Sequence, residues 1–489
     1  MALAPLIAAI CHGASRPARG GHRRAFLTGL LAGLLYFAGT VYWTSGVMAR
    51  FGDIAFPLAV AIAGLLVAYL ALFPALFAMV LHALLTRGGP GWVWLAPAVW
   101  VASEYGRLAL FGGFPWVLLG YSQVTVLPIA QLASVTGVFG VSALLAATAT
   151  GLAWAVQARG RARWGPPAAV AALVAGLALW GDARIGQQRL TSRGPALRVG
   201  LVQGNVEQGV KWDPARADDI FARHLRLTEQ VADAGARLVL WPESSTPFYF
   251  GHGGESEVLR TLARRRGLEL LIGSDQWEPT TPPRIYNAAF LVKADGATGG
   301  VYRKVRLVPF GEYVPFQGLL FFARPLVEAV SDFAPGTEVN VLPGATAALS
   351  TAICYEVVYP GLIREGVQNG STLLTTITND AWFGRSSAPW QHFEMAAMRA
   401  VEQGRYLVRA ANTGITGMVD PYGRVGLASD LFVEGAWVVD VRLIDEKTFY
   451  GRTGDWVVWV SLGLVAMALL VTLAPAAAAR LRAPRTDSA

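Results

Sequence analysis

One cysteine, one glutamate and one lysine stand where chemistry is easiest to place. Cys354 closes an apolar run, Ala347 to Ile353, and is followed at once by Tyr355 and Glu356. Such a run reads as a short buried strand, and open α/β sheets present their ligand sites at the carboxyl ends of strands. Glu243 follows Leu240-Trp241-Pro242, and Lys304 lies in Tyr302-Arg303-Lys304-Val305, each at or near the end of another strand-like run. The nucleophilic form of cysteine is the thiolate, and a free thiol has a pKa of about 8.5. Glu243 can take the thiol proton as general base if burial behind Trp241 and Pro242 raises its own pKa. Lys304 supplies a fixed positive charge that favours thiolate and meets the oxyanion formed when sulfur attacks a carbonyl, and preorganised charge of this kind is often the largest catalytic contribution. The product is a thioester, open to attack by an amine or by water.

Taken singly, each residue has an ordinary structural reading. A free cysteine is usually a small buried hydrophobe. Glu243 can cap the helix that follows Trp-Pro, Lys304 can be a solvated lysine on an edge strand, and Glu312 can be a surface turn residue. The three together favour chemistry. His224 and His392 fall on amphipathic stretches and read as structural or exposed, which shifts the base role to a carboxylate. There is no His/Cys cluster with metal-ligand spacing and no phosphate-cradling glycine loop of the Walker type, so neither a metal nor another cofactor is expected. Cys11 and Cys354 lie in different regions, which argues against a disulfide framework.

These residues belong to a chain of 489 with 54% hydrophobic and 15% charged residues and a mean hydropathy of +0.42. Soluble domains carry about 25% charged residues, so the composition points to a membrane protein. Residues 1–185 are poor in charge, most of it arginine in short loops, and 456–477 have none, while 190–455 has ordinary soluble composition. The net charge of +8 gathers in short loops: Arg16, Arg19, Arg23 and Arg24; Arg87; Arg159, Arg161 and Arg163; and Arg480, Arg482 and Arg485. Arginine-rich loops of this kind mark the cytoplasmic side, a simpler account than nucleic-acid binding, which is not expected.

A span needs about 20 mostly apolar residues, and six runs are candidates: Phe26 to Trp43, Ile54 to Leu85, Trp92 to Leu110, Leu127 to Val156, Pro167 to Trp180, which is short, and Trp456 to Leu473. The second and fourth are long, and each reads as one tilted or partly interfacial helix. With six spans the arginine loops share one side. Residues 44–53, 111–126 and 190–455 share the other, which in a bacterium with two membranes is the periplasm. Met1 to Cys11 is apolar but too short to span, has no basic segment before it, and reads as a truncated or partial first span. Glu104 and Arg107 interrupt the third span at i,i+3 spacing. Ionisable groups there are functional candidates by default, but an ion pair at the membrane edge that orients the helix is the favoured reading. The aromatic loop Phe111 to Trp116 suits an interfacial belt or a lip over which a lipid chain passes.

The chain thus divides into a membrane domain, 1–189, with about five full spans plus a partial one; a soluble domain, 190–455; and a final span with a basic tail, 456–489. Strand-like runs in the soluble domain are Leu197 to Gln203, Leu238 to Trp241, Leu268 to Ile272, Asn287 to Val292, Val301 to Leu307, Ala347 to Ile353, Leu373 to Ile377, Tyr406 to Ala411 and Trp437 to Val441. Amphipathic stretches near 214–234, 255–266, 358–368 and 389–404 fit helices between them. This alternation predicts an α/β layered fold attached to a polytopic helical bundle.

The ordered motifs of the soluble domain resemble the nitrilase (carbon–nitrogen hydrolase) superfamily. They are Val202-Gln203-Gly204-Asn205 with Lys211-Trp212-Asp213, Trp241-Pro242-Glu243-Ser244, Tyr286-Asn287, and Leu307 through Pro315. Ala352-Ile353-Cys354-Tyr355-Glu356, Asn379 through Gly384 and Trp390-Gln391-His392-Phe393 follow. With Gly113-Phe114-Pro115-Trp116 and Gly120-Tyr121-Ser122-Gln123 of the membrane part, the whole chain resembles the integral-membrane branch of that superfamily, the apolipoprotein N-acyltransferases. The resemblance implies an αββα sandwich with Glu243 as base, Lys304 as oxyanion and charge stabiliser, and Cys354 as the acylated nucleophile. It implies support from Glu312, Asn287, Tyr355 and Glu356, and places Trp212 and Trp382 on mobile arms that gate lipid entry. Members of the family take an acyl chain from a phospholipid, usually phosphatidylethanolamine. They pass it to the α-amine of a diacylglyceryl-modified N-terminal cysteine on a lipoprotein. The family has eight spans, so here the first is expected to be missing and the second shortened to Met1 to Cys11, through a downstream start or a true loss.

Three functions fit these residues. Ping-pong N-acyl transfer leads; a membrane-tethered amidase, with water in place of the amine, shares the same trio; a lipid transporter or scaffold with a degenerate domain is the third. Aromatic outer loops and six spans favour a lipid donor over a small amide, and the presence of all three residues of the trio speaks against a degenerate domain.

Overall fold

The computed structural model describes residues 3–482 apart from 17–18, 53, 310 and 314–332. Phe310, Val314 and Pro315 of the motif after Lys304, and Arg485 of the basic tail, lie outside the described residues. The apolar runs fold as helices, with informative departures from the expected spans. Gly21–Thr40 bends by 53° into Trp43–Phe51. Phe56–Gly88 passes through Pro74 as one helix of 33 residues, about 50 Å long at 1.5 Å per residue, so the long second run is one element. The third run is not one span-length helix: Pro90–Leu95 forms a 3-10 turn and the helix proper is Ala96–Ala109, only 14 residues. Pro97 sets its start, because proline is tolerated in the first turn, where its missing N–H has no partner to lose. The fourth run also divides, into Leu127–Ala130 and Ala133–Gln157. The fifth is longer than expected, Gly165–Gly186, and Trp456–Arg482 closes the chain. Among the described residues, Phe56–Gly88, Ala133–Gln157 and Gly165–Ser192 are long and apolar enough to cross a membrane, and the bent pair makes a fourth if it counts as one span. Leu3–Ala14 and Trp456–Thr472 are shorter apolar helices.

Glu104 and Arg107 each hydrogen-bond the backbone of the loop that follows their helix. Glu104 Oε1 accepts the amide N–H of Leu119 at 2.7 Å, and Arg107 Nη1 donates to the carbonyls of Phe114 and Trp116. Buried backbone groups of an irregular loop need partners, and these two side chains supply them, fixing the loop that follows the Ala96–Ala109 helix. Gly113 closes that loop's turn at φ 78°, where a Cβ would lie 1.9 Å from the carbonyl oxygen of Leu108.

The soluble part holds twelve strands among the described residues: β1 (Ala196–Gln203), β2 (Leu238–Leu240), β3 (Glu269–Glu278), β4 (Arg284–Val292), β5 (Thr298–Arg303), β6 (Leu342–Pro343), β7 (Ala348–Ile353), β8 (Leu373–Thr378), β9 (Leu407–Ala411), β10 (Gly417–Val419), β11 (Val425–Ala428) and β12 (Gly435–Arg442). They form two six-stranded sheets, ordered β12-β1-β2-β3-β4-β5 and β11-β10-β9-β8-β7-β6. The centre of each is parallel, β1-β2-β3 in one and β7-β8-β9 in the other. All nine expected strands form, and β6, β10 and β11 are additions too short to carry a readable alternation. β5 ends at Arg303 rather than Leu307, which leaves Lys304 just past the strand.

The inner faces of the two sheets meet through Val199, Leu201, Leu240, Leu291, Ile353, Ile377 and Val408. Helices Ala217–Asp233 and Glu255–Arg266 cover the outer face of the first sheet through Leu227, Val231 and Leu259. Helices Pro360–Gln368 and Ala388–Gln403 belong to the layer outside the second sheet. Their Ile363, Ala396 and Val401 share one buried cluster with Trp43, Trp116, Val138 and Phe139 of the membrane part. The order helix–sheet–sheet–helix is the expected sandwich, and one of its outer layers is shared with the membrane helices.

Candidate active site

The site assembles where strand ends from both sheets converge. β2 is three buried apolar residues, and its ladder continues through Trp241, whose N–H donates to Leu271 O at 2.9 Å. Trp241 is itself fixed by its indole N–H to Thr228 Oγ1 at 2.8 Å. Beyond Pro242, Ser245 N returns to Gly273 O at 2.8 Å. Gly273 is required there, since a Cβ would sit 2.1 Å from Pro242 O. Glu243 is thereby held inward, with Ser244 beside it at φ 43° and bonded through Oγ to Asp275 Oδ1 at 2.6 Å.

Glu243 is bonded at both oxygens. Oε1 accepts from Asn287 Nδ2 at 2.7 Å and Lys304 Nζ at 3.1 Å, and Oε2 accepts the amide N–H of Asn379 at 2.8 Å. Lys304 Nζ also donates to Glu312 Oε1 at 2.8 Å, and Asn287 Nδ2 reaches the same oxygen at 3.1 Å. Glu312 Oε2 accepts the N–H of Val308 at 2.8 Å. Lys304 is 1% exposed and Glu312 8%, so the solvated-lysine and surface-turn readings both fail.

Cys354 ends β7 in a left-handed conformation, φ 52°, and starts the 3-10 turn Cys354–Val358. A non-glycine residue in this region carries backbone strain and persists only where its surroundings fix it. Part of that fixing comes from Glu356, whose carboxylate accepts from Ile353 N at 2.8 Å, Val305 N at 2.6 Å, Arg306 N at 3.0 Å and Tyr302 Oη at 2.9 Å. Glu356 therefore ties the cysteine turn to the segment that carries Lys304. Burial pushes Glu356 up to about 7 against the pull of these backbone donors and of Lys304.

Protonation in this cluster differs from the sequence expectation. Burial raises the pKa of Glu243, as expected, but Lys304, the Asn287 hydrogen bond and Lys211 outweigh it and hold the group below its ordinary 4.5. Burial and the charge of Glu243 push the Cys354 thiol well above its ordinary value, and Lys304 offsets only part of this. Burial opposes the charge on Lys304, yet Glu243 and Glu312 hold the ammonium above the usual lysine range. The resting state is thus thiol, carboxylate and ammonium. With two carboxylates already on Lys304, its charge does not produce a standing thiolate. In this state Glu243 is free to accept a proton if the thiol attacks a carbonyl, and Lys304 is the cation beside any oxyanion formed there. If the thiol delivers its proton directly to an ionised Glu243, single-turnover acylation is expected to lose its base below pH 4.5, with any earlier change marking Glu356 near 7 or Asp275 near 6, and to show no rise through the ordinary thiol range. Rates measured across that range check this, and an alkaline rise that follows thiol ionisation would contradict it.

The structure brings Glu243, Lys304, Cys354, Asn287, Glu312 and Glu356 into this arrangement. Tyr355 faces the other way: its ring stacks on Trp116 at 6.4 Å and its hydroxyl donates to Gly113 O at 3.4 Å, so it ties the cysteine turn to the membrane-side loop. Trp212 and Trp382 stand outside the hydrogen-bonded cluster. Trp212 is exposed, and Trp382 meets Phe51 edge-on at 4.9 Å.

Four participants have no role in the sequence reading, although Lys211 and Asp380 stand inside its motifs. Lys211 is buried with Nζ donating to Glu243 O at 3.1 Å. Asp275, pushed by burial up to about 6, backs Ser244. Asp380 and Arg409 form a fully buried ion pair at 2.8 Å. An arginine inside Leu407-Val408-Arg409-Ala410-Ala411 was the available signal, since a charge in a buried strand demands a partner. His392 is buried against Asp380, which bears out its structural reading and rules out the exposed one.

Comparisons with known proteins agree with this geometry. Carbon-nitrogen hydrolase matches residues 198–447, and the Apolipoprotein N-acyltransferase N-terminal domain matches residues 1–151. An apolipoprotein N-acyltransferase of Geobacter metallireducens is 38% identical over 94% of this chain and 88% of its own length. Those of Methylococcus capsulatus (37%, over 88% of this chain and 84% of its own length) and Bradyrhizobium diazoefficiens (33%, over 96% and 89%) are similar along nearly the whole sequence as well. With both halves matched in order and a cysteine, glutamate and lysine gathered between the sheets, the chain belongs to the apolipoprotein N-acyltransferase family.

Proposed function

We propose that this protein performs the last acyl transfer of lipoprotein maturation, with Cys354 as nucleophile, Glu243 as base and Lys304 as oxyanion partner. The observation that carries the residue roles is the bonding of Glu243 to Lys304, Asn287 and the Asn379 amide beside a cysteine held at φ 52°. Cys354 Sγ attacks the ester carbonyl of a phospholipid as its proton passes to Glu243. The carbon–oxygen bond then breaks, the leaving lysophospholipid oxygen takes that proton, and an acyl thioester remains. The α-amine of a diacylglyceryl-cysteine lipoprotein attacks the thioester and gives a proton to Glu243. Sulfur leaves and recovers the proton, and the amide is complete. The donor is phosphatidylethanolamine in this reading.

The aromatic loop 111–116 supports a lipid donor, because Tyr355 and Tyr359 both donate to its glycine carbonyls within 3.4 Å. Trp212 and Trp382 are the gating side chains in this reading, which the half-exposed position of Trp212 and the contact of Trp382 with a helix of the membrane part support. In this reading 190–455 stands on the periplasmic face of a bacterial inner membrane, which the one-sided arginine loops support. The division into 1–189, 190–455 and 456–489 goes with it.

Intact-protein mass spectrometry after incubation with phosphatidylethanolamine in detergent tests the proposal. The expected result is one fatty-acyl increment that hydroxylamine releases and that maps to the peptide containing Cys354. On adding a diacylglyceryl-cysteine peptide the increment should move to the peptide amine. Release as free fatty acid instead would make the protein a hydrolase, and an increment on any other residue would overturn the assignment of Cys354.

A further inference from the structure

We propose that His392 is a positioning residue for this acyl transfer: its Nε2–H holds the main-chain carbonyl of Cys354 and so fixes the left-handed turn that aims the thiol at its base. The inference rests on the function proposed above and adds a residue to it. His392 Nε2 lies 3.1 Å from Cys354 O, with the histidine fully buried. A carbonyl oxygen only accepts, so Nε2 carries a hydrogen. Nδ1 lies 3.0 Å from both Asp380 Oδ1 and Arg409 Nη2. A neutral ring accepts from Arg409 there, and a protonated ring donates to Asp380. The Nε2 hydrogen, and with it the bond to Cys354, is common to both states.

What stands behind His392 makes the bond more than a local filler. Asp380 is fixed by Arg409 Nη2 at 2.8 Å and by Thr378 Oγ1 at 2.9 Å. Its neighbour Asn379 donates its amide N–H to Glu243 Oε2 at 2.8 Å. One corner at the end of β8 therefore holds the base directly and the nucleophile's carbonyl through Asp380 and His392. Base and nucleophile leave different sheets, Glu243 after β2 and Cys354 after β7, so their registry needs a common reference, and this corner provides it. On the open side of the ring, Trp116 packs at 5.5 Å and Phe383 meets it edge-on at 6.1 Å. Gln391, one residue before, accepts the indole N–H groups of Trp116 at 2.7 Å and Trp43 at 3.2 Å. The ring is thus enclosed by apolar surface that keeps water from competing for the Cys354 carbonyl.

The test compares His392→Ala, His392→Gln and His392→Asn in the full-length protein in detergent. A glutamine amide extends to the place of Nε2 and can donate to the carbonyl; an asparagine amide reaches only the place of Nδ1. Three quantities are read: the single-turnover rate of Cys354 acylation by phosphatidylethanolamine with its donor KM, the rate of Cys354 alkylation by iodoacetamide, and the Tm. His392→Ala is expected to acylate about 100-fold more slowly, the scale of loss for a reacting group displaced by about 1 Å, with donor KM within about threefold. His392→Gln should recover to within about tenfold of wild type, and His392→Asn should behave as alanine does. Alkylation should follow the same order. That arm needs no lipid, so it reads positioning even if wild type takes no acyl chain, an outcome that would sink the acyltransferase reading alone. If His392→Ala does not fold, the glutamine–asparagine pair decides. Equal acylation and alkylation by those two variants, or wild-type rates in a folded alanine variant, would overturn the proposal.

Discussion

Lys304→Met is expected to unfold at a clearly lower temperature and to acylate Cys354 about 1,000-fold more slowly, the scale seen when a preorganised oxyanion donor is removed. Methionine keeps the length and apolar stem of the lysine, so packing is nearly preserved. What changes is charge: Glu243 and Glu312 both share Asn287 Nδ2, and Lys304 is the cation bonded to both. Taking one partner from a buried ion network destabilises by about 3–5 kcal/mol, because the remaining charges have lost their compensation. Thermal unfolding followed by tryptophan fluorescence measures that part. Adding Glu312→Gln removes one of the two uncompensated charges and should restore much of the Tm while leaving the rate low. Recovery of both together would mean that Lys304 acts only through stability. A Lys304→Met protein with the wild-type acylation rate would remove the lysine from the mechanism altogether.

Glu243→Gln should be the most damaging conservative substitution at the site, lowering the acylation rate by about 1,000- to 10,000-fold, the upper part of the range for a general base. A carboxamide cannot take the thiol proton. Its hydrogen bonding is also mismatched: Glu243 accepts at both oxygens, from Asn287 and Lys304 on one and from the Asn379 amide on the other. An amide accepts at only one of those positions and turns N–H groups toward a donor at the other, which costs about 1–3 kcal/mol. Single-turnover mass spectrometry gives the rate, and a melting curve shows the smaller loss of stability. Acylation within tenfold of wild type would show that another group takes the proton, with Asp275, raised to about 6 beside Ser244, first in line.

The trio was legible because each member follows a short apolar run, and such runs can be read one at a time. The protonation state was not. Whether Glu243 is held above or below 4.5 depends on Lys304, Asn287 and Lys211, which arrive from separate segments and oppose the burial that sequence does suggest. Lys304 and Glu312 read as surface residues singly for the same reason, since the partners that compensate their buried charges, each other and Glu243, come from separate segments. The membrane part shows a similar limit. Hydropathy located the Trp92 to Leu110 run but missed the break before Ala96, where local proline chemistry decides. Glu104 and Arg107 invited pairing by their spacing, which gave no sign of their hydrogen bonds to the loop backbone between Phe114 and Leu119. His392 was placed correctly on its helix, but its bond to Cys354 O joins segments that only the folded sandwich brings together.

The buried cluster that runs from the helix Ala388–Gln403 into Trp43, Trp116, Val138 and Phe139 bears on portability. An enzyme on a simple tether can be cut loose and stay soluble, or be moved to another anchor. Here the cut would leave Met395, Ala396 and Val401 facing water and deprive Glu402 Oε1 of the Val138 N–H it accepts at 2.9 Å. It would also strip Gln391 of both indole donors on the turn that carries His392. The membrane helices are therefore part of the enzyme's own interior, and a chimera that joins this catalytic half to a relative's membrane half has to match that shared core as closely as two halves of one domain.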